Sequence, residues 1–202
     1  MTEKAQIKKA KITKDDFKQE VLNDYRVAFE SRHASLMGRK DVLTGKGKFG
    51  IFGDGKEVAQ IAMAKVFRKG DFRSGYYRDQ TFMLSRGMLS MDDFFSQLYA
   101  DPNVEHDPCS AGRQMCSHFG TRMLDDKGQW VSQTDNYNTA SDISCTAGQM
   151  SRLVGLAWAS KLYRENEELS DMTDFSRNGD EIAFGTIGNA STSEGVFWEA
   201  IN

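Results

Sequence analysis

The amino-acid sequence predicts an α/β fold, and the pattern near its carboxyl end carries most of that prediction. Residues 181–187 are a short apolar run that is typical of a buried strand. Residues 188–193 are small and turn-forming, and an aromatic-rich helix is predicted after them. Helical patterns over residues 13–30 and 143–165 supply the helices of the same class.

The start of the last helix is predicted from two side chains. Ser191 and Glu194 have the spacing of a capping box, which would fix the helix start. A strand, a tight turn and a free helix N-terminus can hold an anion at the carboxyl end of a sheet. The same pattern also occurs in an ordinary strand–helix connection, so both interpretations stay open. The helical pattern reaches Asn202 without a stop signal, and we therefore expect a longer protein.

Composition and charge exclude several classes of protein. The chain has 202 residues, enough for one sizeable core, and its 39% hydrophobic and 27% charged content is that of a soluble globular protein. A net charge of −3 gives no reason to expect nucleic-acid binding. The sequence shows no membrane-length apolar run and no signal peptide. The three cysteines are not closely paired, so reduced thiols in a cytoplasmic protein are expected: Cys109, Cys116 and Cys145.

Residues 1–12 are predicted to be a charged tail, and residues 13–202 the N-terminal part of a domain. Thr13 and Asp16 mark the start of a long amphipathic helix. Its apolar positions recur every four residues and are expected to pack on the domain or on a neighbouring subunit: Phe17, Val21, Tyr25 and Phe29.

Residues 45–57 contain glycines in the order G-x-G-x-x-G, but no strand is predicted before them. A dinucleotide-binding turn is therefore not expected there. A helix is predicted to begin near Glu57, with an apolar face formed by Ile61, Ala62, Val66 and Phe67. A second short helix, Met91–Tyr99, is predicted to be capped by Ser90 and Asp93.

Several further segments have distinctive residues. They are Tyr77-Arg78-Asp79, Gly112-Arg-Gln-Met-Cys-Ser-His118-Phe-Gly120, Gly155-Leu-Ala-Trp-Ala159, and Gly188-Asn189-Ala190-Ser-Thr-Ser-Glu194-Gly195 followed by Glu-Ala-Ile-Asn202. In this order they resemble the alpha subunit of the thiamine diphosphate-dependent decarboxylating component of 2-oxo acid dehydrogenase complexes. The Arg-Gln pair of the second segment is similar to the branched-chain, 2-oxoisovalerate type. The resemblance covers residues from about 17 to 202.

The resemblance implies a transketolase-like, Rossmann-like parallel sheet that is incomplete at its carboxyl end, and it implies roles for individual residues. Tyr77 and Arg78 would grip the cofactor diphosphate, because a guanidinium offers forked donors to phosphate oxygens. Without the resemblance, Arg78 would be interpreted as a surface residue paired with Asp79. Ser144 and Thr146 would lie beside the aminopyrimidine ring. The turn residues Gly188, Ala190 and Ser191 would also contact the cofactor.

Asn189 stands where the family has the acid that ligates magnesium. An asparagine carbonyl can ligate a hard cation, but it contributes no charge. His118 is a candidate catalytic residue or a loop histidine with satisfied hydrogen bonds, and no proton transfer is assigned to it. Cys116 replaces the proline of the family loop. The segment from Ile143 to Glu165 is predicted to be a capped, mostly buried helix whose small residues allow close packing.

The resemblance also implies an activity and partners. The enzyme would decarboxylate a branched-chain 2-oxo acid and pass the acyl group to a lipoyl arm on an acyltransferase core. The glutamate that activates the cofactor would come from a beta subunit or a fused beta half, in a heterotetramer or similar oligomer. Residues 1–202 alone are therefore expected to be inactive. Two alternatives stay open: another thiamine enzyme of the transketolase superfamily, or a non-catalytic α/β interaction module.

Overall fold

A computed structural model describes residues 12–202, and the predicted tail lies almost wholly outside them. Six α-helices and three short strands follow one another along the chain. They are α1 (Lys14–Leu43), α2 (Glu57–Val66), β1 (Phe72–Arg73), α3 (Gln80–Ser85), α4 (Met91–Leu98), β2 (Asn138–Thr139), α5 (Gln149–Glu165), β3 (Ala183–Phe184) and α6 (Gly195–Ile201). Two 3₁₀ turns lie at Glu167–Leu169 and Asn189–Ser193. Within residues 12–202, no helix has the length and apolar character needed to cross a bilayer.

The sheet has the strand order β2-β1-β3, and both pairs are parallel. Phe72 lies opposite Asn138 on one side and Ala183 on the other. The α/β class predicted from sequence is therefore confirmed in its coarse form. The strand predicted over residues 181–187 is shorter than expected and half-buried, because β3 lies at the edge of the sheet and Ile182 points outward with 58% exposure.

The apolar core lies between the sheet and helices α1 to α4. Phe82 of α3 is central to it, since its ring packs edge-on against both Phe67 and Phe184. The buried cluster is Ala34, Phe52, Ala64, Phe67, Phe82, Met83, Leu89, Phe94, Leu98, Cys116 and Phe119. The capping box of Ser90 and Asp93 starts α4 as predicted, so that Phe94 and Leu98 point into this core.

Helix α1 contacts the domain through small polar residues of its second half. Ser31 is hydrogen-bonded to Thr81 of α3 at 2.6 Å, and Gln80 donates to Ser31 and Ser35. Thr13 caps the helix as predicted. Within residues 12–202 its apolar stripe does not pack on the domain, because its members are 46–67% exposed: Phe17, Val21, Tyr25 and Phe29. Packing of this stripe on a neighbouring subunit stays a prediction. These residues lie N-terminal to the part of α1 that contacts α3.

Three other predictions are corrected by the structure. Ala62 and Val66 of α2 are exposed, because this helix buries Gln60, Ile61 and Ala64 instead. Helix α5 is mostly exposed and has no side-chain cap, since Gly148 occupies the cap position. Gly155 also has open space beside it.

The predicted capping box at the last helix is also wrong. Glu194 is the N-cap of α6 and makes no side-chain cap hydrogen bond. Ser191 lies one turn earlier, inside the 3₁₀ turn that precedes the helix. The 3₁₀ turn therefore lies within the predicted tight turn and precedes α6. Because α6 begins only after it, Ser191 is too far from the helix start to cap it.

Three ion pairs join helices α1 and α2, and the one between Arg32 and Glu57 gives a testable pH dependence. Both oxygens of Glu57 accept hydrogen bonds from Arg32, at 2.7 and 2.8 Å, and both accept from the Gly55 amide. The hydrogen bonds from Arg32 lower the pKa of Glu57 to about 2, although burial opposes the shift. The carboxylate therefore stabilises the folded chain fully above its unfolded pKa of about 4.3, and this contribution disappears as the pH falls towards 2.

We expect Glu57→Gln to lower the free energy of unfolding by about 1–2 kcal/mol at pH 7, a value that allows for solvent screening of half-exposed Arg32. The difference from the wild type should vanish near pH 2 in urea titrations. Glu30→Gln is the matched control, because Glu30 is exposed and its nearest cation, Arg26, is 4.0 Å away. A difference that persists unchanged at pH 2 would contradict the assignment.

Candidate cofactor-binding site

A cleft of about 210 Å³ lies at the carboxyl ends of the three strands. One segment after each strand lines it: Tyr76–Arg78 after β1, residues 143–147 after β2, and residues 188–191 after β3. All predicted cofactor or metal residues line this one cleft: Tyr77, Arg78, Ser144, Thr146, Gly188, Asn189, Ala190 and Ser191. Motifs separated by more than 100 residues in the sequence are thus brought together by the parallel sheet.

Arg78 supplies the positive charge of the cleft. Its guanidinium lies over the rings of Tyr76 and Tyr77, at 5.0 and 5.3 Å from their centroids, and its Nε donates to the Tyr76 hydroxyl at 3.3 Å. Among the ion pairs of residues 12–202, none involves Arg78. The alternative pairing with Asp79 is therefore wrong. A cation without a carboxylate partner, held by aromatic rings, is well placed to receive an anion.

Arg78 and Asp79 are held by close contacts, two of which only glycine permits. Gln60 donates from Nε2 to the Arg78 carbonyl at 2.8 Å. A Cβ on Gly53 would lie 2.3 Å from the same carbonyl oxygen, and a Cβ on Gly75 would lie 2.3 Å from the Asp79 carboxylate. Because neither contact could accommodate a methyl group, the position of the Arg78 carbonyl depends on Gly53, and that of the neighbouring Asp79 carboxylate depends on Gly75.

A wholly buried arginine, which the sequence analysis missed, connects the strands and loops next to the cleft. Arg73 is 0% exposed and lies 2.8 Å from Asp79. Its Nη1 donates to Thr139 at 2.7 Å and also lies 3.1 Å from Asp142. Its Nη2 donates to the Tyr76 carbonyl at 3.0 Å. One guanidinium thus joins β1 to β2, to the first cleft-lining segment through Tyr76, and to Asp142, which directly precedes the second.

Charge balance keeps this arginine ionised. Burial alone would lower the pKa of Arg73, but the attraction of Asp79 and Asp142 outweighs it and the pKa is raised. Burial raises the pKa of Asp142, and Arg73 partly offsets that effect. One sequence signal could have revealed the site: Arg73 directly follows the apolar Phe72 and lies only four residues before Tyr77, and a charge there must find a partner if it is buried.

The chain between β3 and the third segment is joined to the same network. Thr186, which follows β3, donates its hydroxyl proton to Asp79. Gln149, the first residue of α5, donates to the Thr186 carbonyl at 2.8 Å, and Ser74 donates to the Gln149 carbonyl at 3.0 Å. The cleft walls are therefore fixed relative to one another by buried side-chain hydrogen bonds.

His118 does not line the cleft but lies directly behind it. The ring is 5% exposed, is stacked on Tyr77, and has Nε2 2.7 Å from the Ser144 hydroxyl. Cys116, two residues earlier, is buried against the carbonyl of Phe94, and burial raises the pKa of its thiol to about 11. The segment from residue 101 to residue 142 is mostly irregular, as expected, apart from β2 and a bridge between Leu124 and Trp130.

The donor groups of the cleft suit an anion better than a cation. Arg78 and the Tyr77 hydroxyl are hydrogen-bond donors that can face a diphosphate. Asn189 is exposed at the start of the 3₁₀ turn and offers one neutral amide oxygen. In the part of the chain from residue 12 onwards, no three His, Cys, Asp or Glu side chains cluster as metal ligands. This chain would therefore contribute little charge to a magnesium site.

Comparison with known proteins shows the family to which this chain belongs. Residues 28–202 match the family described as Dehydrogenase E1 component. The chain is 30% identical over 189 residues to the 2-oxoisovalerate dehydrogenase subunit alpha of Bacillus subtilis (strain 168). The aligned part covers 91% of this chain and 47% of the relative. It is 29% identical over 126 residues to the mitochondrial 2-oxoisovalerate dehydrogenase subunit alpha of Caenorhabditis elegans, covering 62% of this chain and 25% of that protein.

The chain thus spans about half the length of the bacterial relative and a quarter of the nematode one. The family match extends from the middle of α1 to the last residue and includes every segment that lines the cleft. On this basis the chain belongs to the Dehydrogenase E1 component family.

Proposed function

We propose that this chain forms the diphosphate side of a thiamine diphosphate site in the decarboxylating component of a branched-chain 2-oxo acid dehydrogenase complex. The observation that carries the proposal is the convergence of Tyr77, Arg78 and the 188–191 turn on one cleft at the sheet edge. The printed names of both relatives, 2-oxoisovalerate dehydrogenase subunit alpha, support the branched-chain substrate class.

In this proposal the protein binds and orients the cofactor, which supplies the carbanion chemistry when bound. Arg78 binds phosphate oxygens through its forked N–H groups, and the Tyr77 hydroxyl adds a neutral donor. Ser144 and Thr146 would lie beside the aminopyrimidine ring of the cofactor. Asn189 ligates magnesium through its amide oxygen. The buried contacts of Arg73 keep these groups in place before the cofactor arrives, which lowers the ordering cost of binding.

A beta subunit or fused beta half and a lipoyl-bearing acyltransferase core are the proposed partners. Large apolar side chains on α5 and α6 are exposed in this chain, among them Trp158 at 57% and Trp198 at 55%. Exposed apolar patches of this kind are typical of interaction sites. They are consistent with a protein that works in an assembly.

The function is tested on the assembled enzyme with 2-oxoisovalerate as substrate. We expect release of CO₂ that depends on thiamine diphosphate, with acyl transfer to a lipoyl domain. Rapid turnover without any lipoyl acceptor would indicate a different thiamine enzyme instead. Absence of both turnover and cofactor binding would favour a non-catalytic interaction module.

The metal ligand is tested by Asn189→Asp. If Asn189 ligates magnesium, a carboxylate at the same position adds a negative charge to the ligand set, and the magnesium-dependent affinity for thiamine diphosphate should rise about tenfold. Titration calorimetry at several magnesium concentrations measures it. Asn178→Asp, in an exposed turn outside the cleft, is the matched control. An unchanged affinity in Asn189→Asp would mean that this residue is not a ligand.

A further inference from the structure

His118 is held rigidly behind the cleft by the backbone on both sides of it. Gln97 of α4 accepts from the Ser117 amide at 2.7 Å and donates to the His118 carbonyl at 3.0 Å. The Phe119 amide donates to the buried carboxylate of Asp142 at 3.2 Å. The ring stacks on Tyr77 with a centroid distance of 5.6 Å and an interplanar angle of 18°. The position of the ring is therefore defined by its own loop, by α4 and by the Arg73 network.

The partners of the two ring nitrogens define where the protons lie. Nδ1 faces the carbonyl oxygens of Met115 and Cys116, at 3.2 and 3.4 Å. Carbonyl oxygens only accept hydrogen bonds, so Nδ1 carries the proton. In the neutral ring, Nε2 is then the acceptor, and the Ser144 hydroxyl, 2.7 Å away, must donate to it.

This direction of the hydrogen bond has a consequence for the cleft. Ser144 is exposed and lines the cleft, whereas His118 is behind it. Because the only hydroxyl proton of Ser144 is used by His118, its oxygen has only lone pairs left to offer to a ligand. The hydroxyl can accept a hydrogen bond from a ligand, but it cannot donate one.

We propose that His118 is a positioning residue that fixes the Ser144 hydroxyl as a hydrogen-bond acceptor for an N–H or O–H donor of the bound ligand. The inference rests on the proposed function, since it takes thiamine diphosphate as the ligand of this cleft. It gives His118 no proton transfer, because the ring touches Ser144 and Tyr77 and does not line the cleft.

The test is a double-mutant cycle on the assembled enzyme, with thiamine diphosphate and magnesium titrated by calorimetry. His118→Phe keeps an aromatic ring against Tyr77 but removes the acceptor, and Ser144→Ala removes the hydroxyl. We expect each to weaken binding about 3- to 10-fold, the effect of one hydrogen bond. The double variant should bind no more weakly than Ser144→Ala, because His118 acts only through Ser144.

Two further variants keep the test independent of folding. His118→Gln offers a side-chain oxygen that Ser144 can donate to, so its affinity should lie within about twofold of the wild type. His106→Phe, in an exposed loop outside the cleft, is the matched control and should leave binding unchanged. Should His118→Phe fail to fold, His118→Gln decides: binding as weak as in Ser144→Ala overturns the proposal.

Additive losses in the double variant would mean that the two residues act separately, which overturns the positioning role. If the wild-type enzyme binds thiamine diphosphate but the losses of affinity in the cycle are additive, the proposed function stays intact. A wild-type enzyme with no affinity for thiamine diphosphate overturns both.

Discussion

Replacing Arg73 by methionine is expected to lower the free energy of unfolding by about 3–5 kcal/mol, a large part of the 5–15 kcal/mol of a typical domain. Methionine fills a similar volume, so the loss comes from charge rather than from a cavity. Asp79 and Asp142 would remain buried together without a cation. Chemical denaturation at pH 7 measures the effect.

Two comparisons separate the charge effect from general damage. Arg122→Met is the matched control, because Arg122 and its partner Asp126 are 79% and 89% exposed, and its effect should stay below about 0.5 kcal/mol. Adding Asp142→Asn to Arg73→Met should restore part of the lost stability, since it removes one of the two buried charges. An Arg73→Met protein as stable as the wild type would show that the buried ion pairs contribute no net stability.

Replacing Arg78 by methionine is expected to weaken thiamine diphosphate binding by at least about 100-fold without a comparable loss of stability. A forked guanidinium can make two charge-assisted hydrogen bonds to a phosphate, each worth about 1.5–3 kcal/mol. Arg78 forms no ion pair in residues 12–202 and donates only to Tyr76, so its removal leaves no buried charge behind. Calorimetric titration of the assembled enzyme measures the affinity.

Lysine at position 78 should give an intermediate affinity, because it keeps the charge and loses the fork. Arg122→Met again serves as the control and should bind as the wild type does. The assignment fails if Arg78→Met binds with unchanged affinity, or if thiamine, which has no phosphate, loses affinity by the same factor as the diphosphate.

The parts of the candidate site that could be predicted from sequence are those whose residues are adjacent in the chain. Tyr77 and Arg78 form one motif, residues 188–191 form another, and each follows a strand. Parallel strands place such segments at one edge, so the convergence of the motifs follows from the fold class. Their roles towards a cofactor stay predictions.

The Arg73 network could not be predicted in the same way. Asp142 lies 69 residues after Arg73, and Thr186 reaches the network only through Asp79. No local pattern relates these positions. The prediction that α5 is mostly buried was wrong for a different physical reason. Periodicity shows which face of a helix is apolar, but it does not show whether the same chain covers that face. Val154 and Trp158 lie on such an uncovered face.

The glycines beside Arg78 have a consequence for how sequence variants of this chain should be interpreted. Gly53 and Gly75 lie outside the cleft-lining segments 76–78, 143–147 and 188–191. A single added carbon at either position would nevertheless meet the Arg78 carbonyl or the Asp79 carboxylate at 2.3 Å. An alanine at position 53 would therefore displace the Arg78 backbone and weaken ligand binding, and an alanine at position 75 would displace the buried Arg73–Asp79 pair. Such variants would be misclassified if only the distance from the ligand were considered.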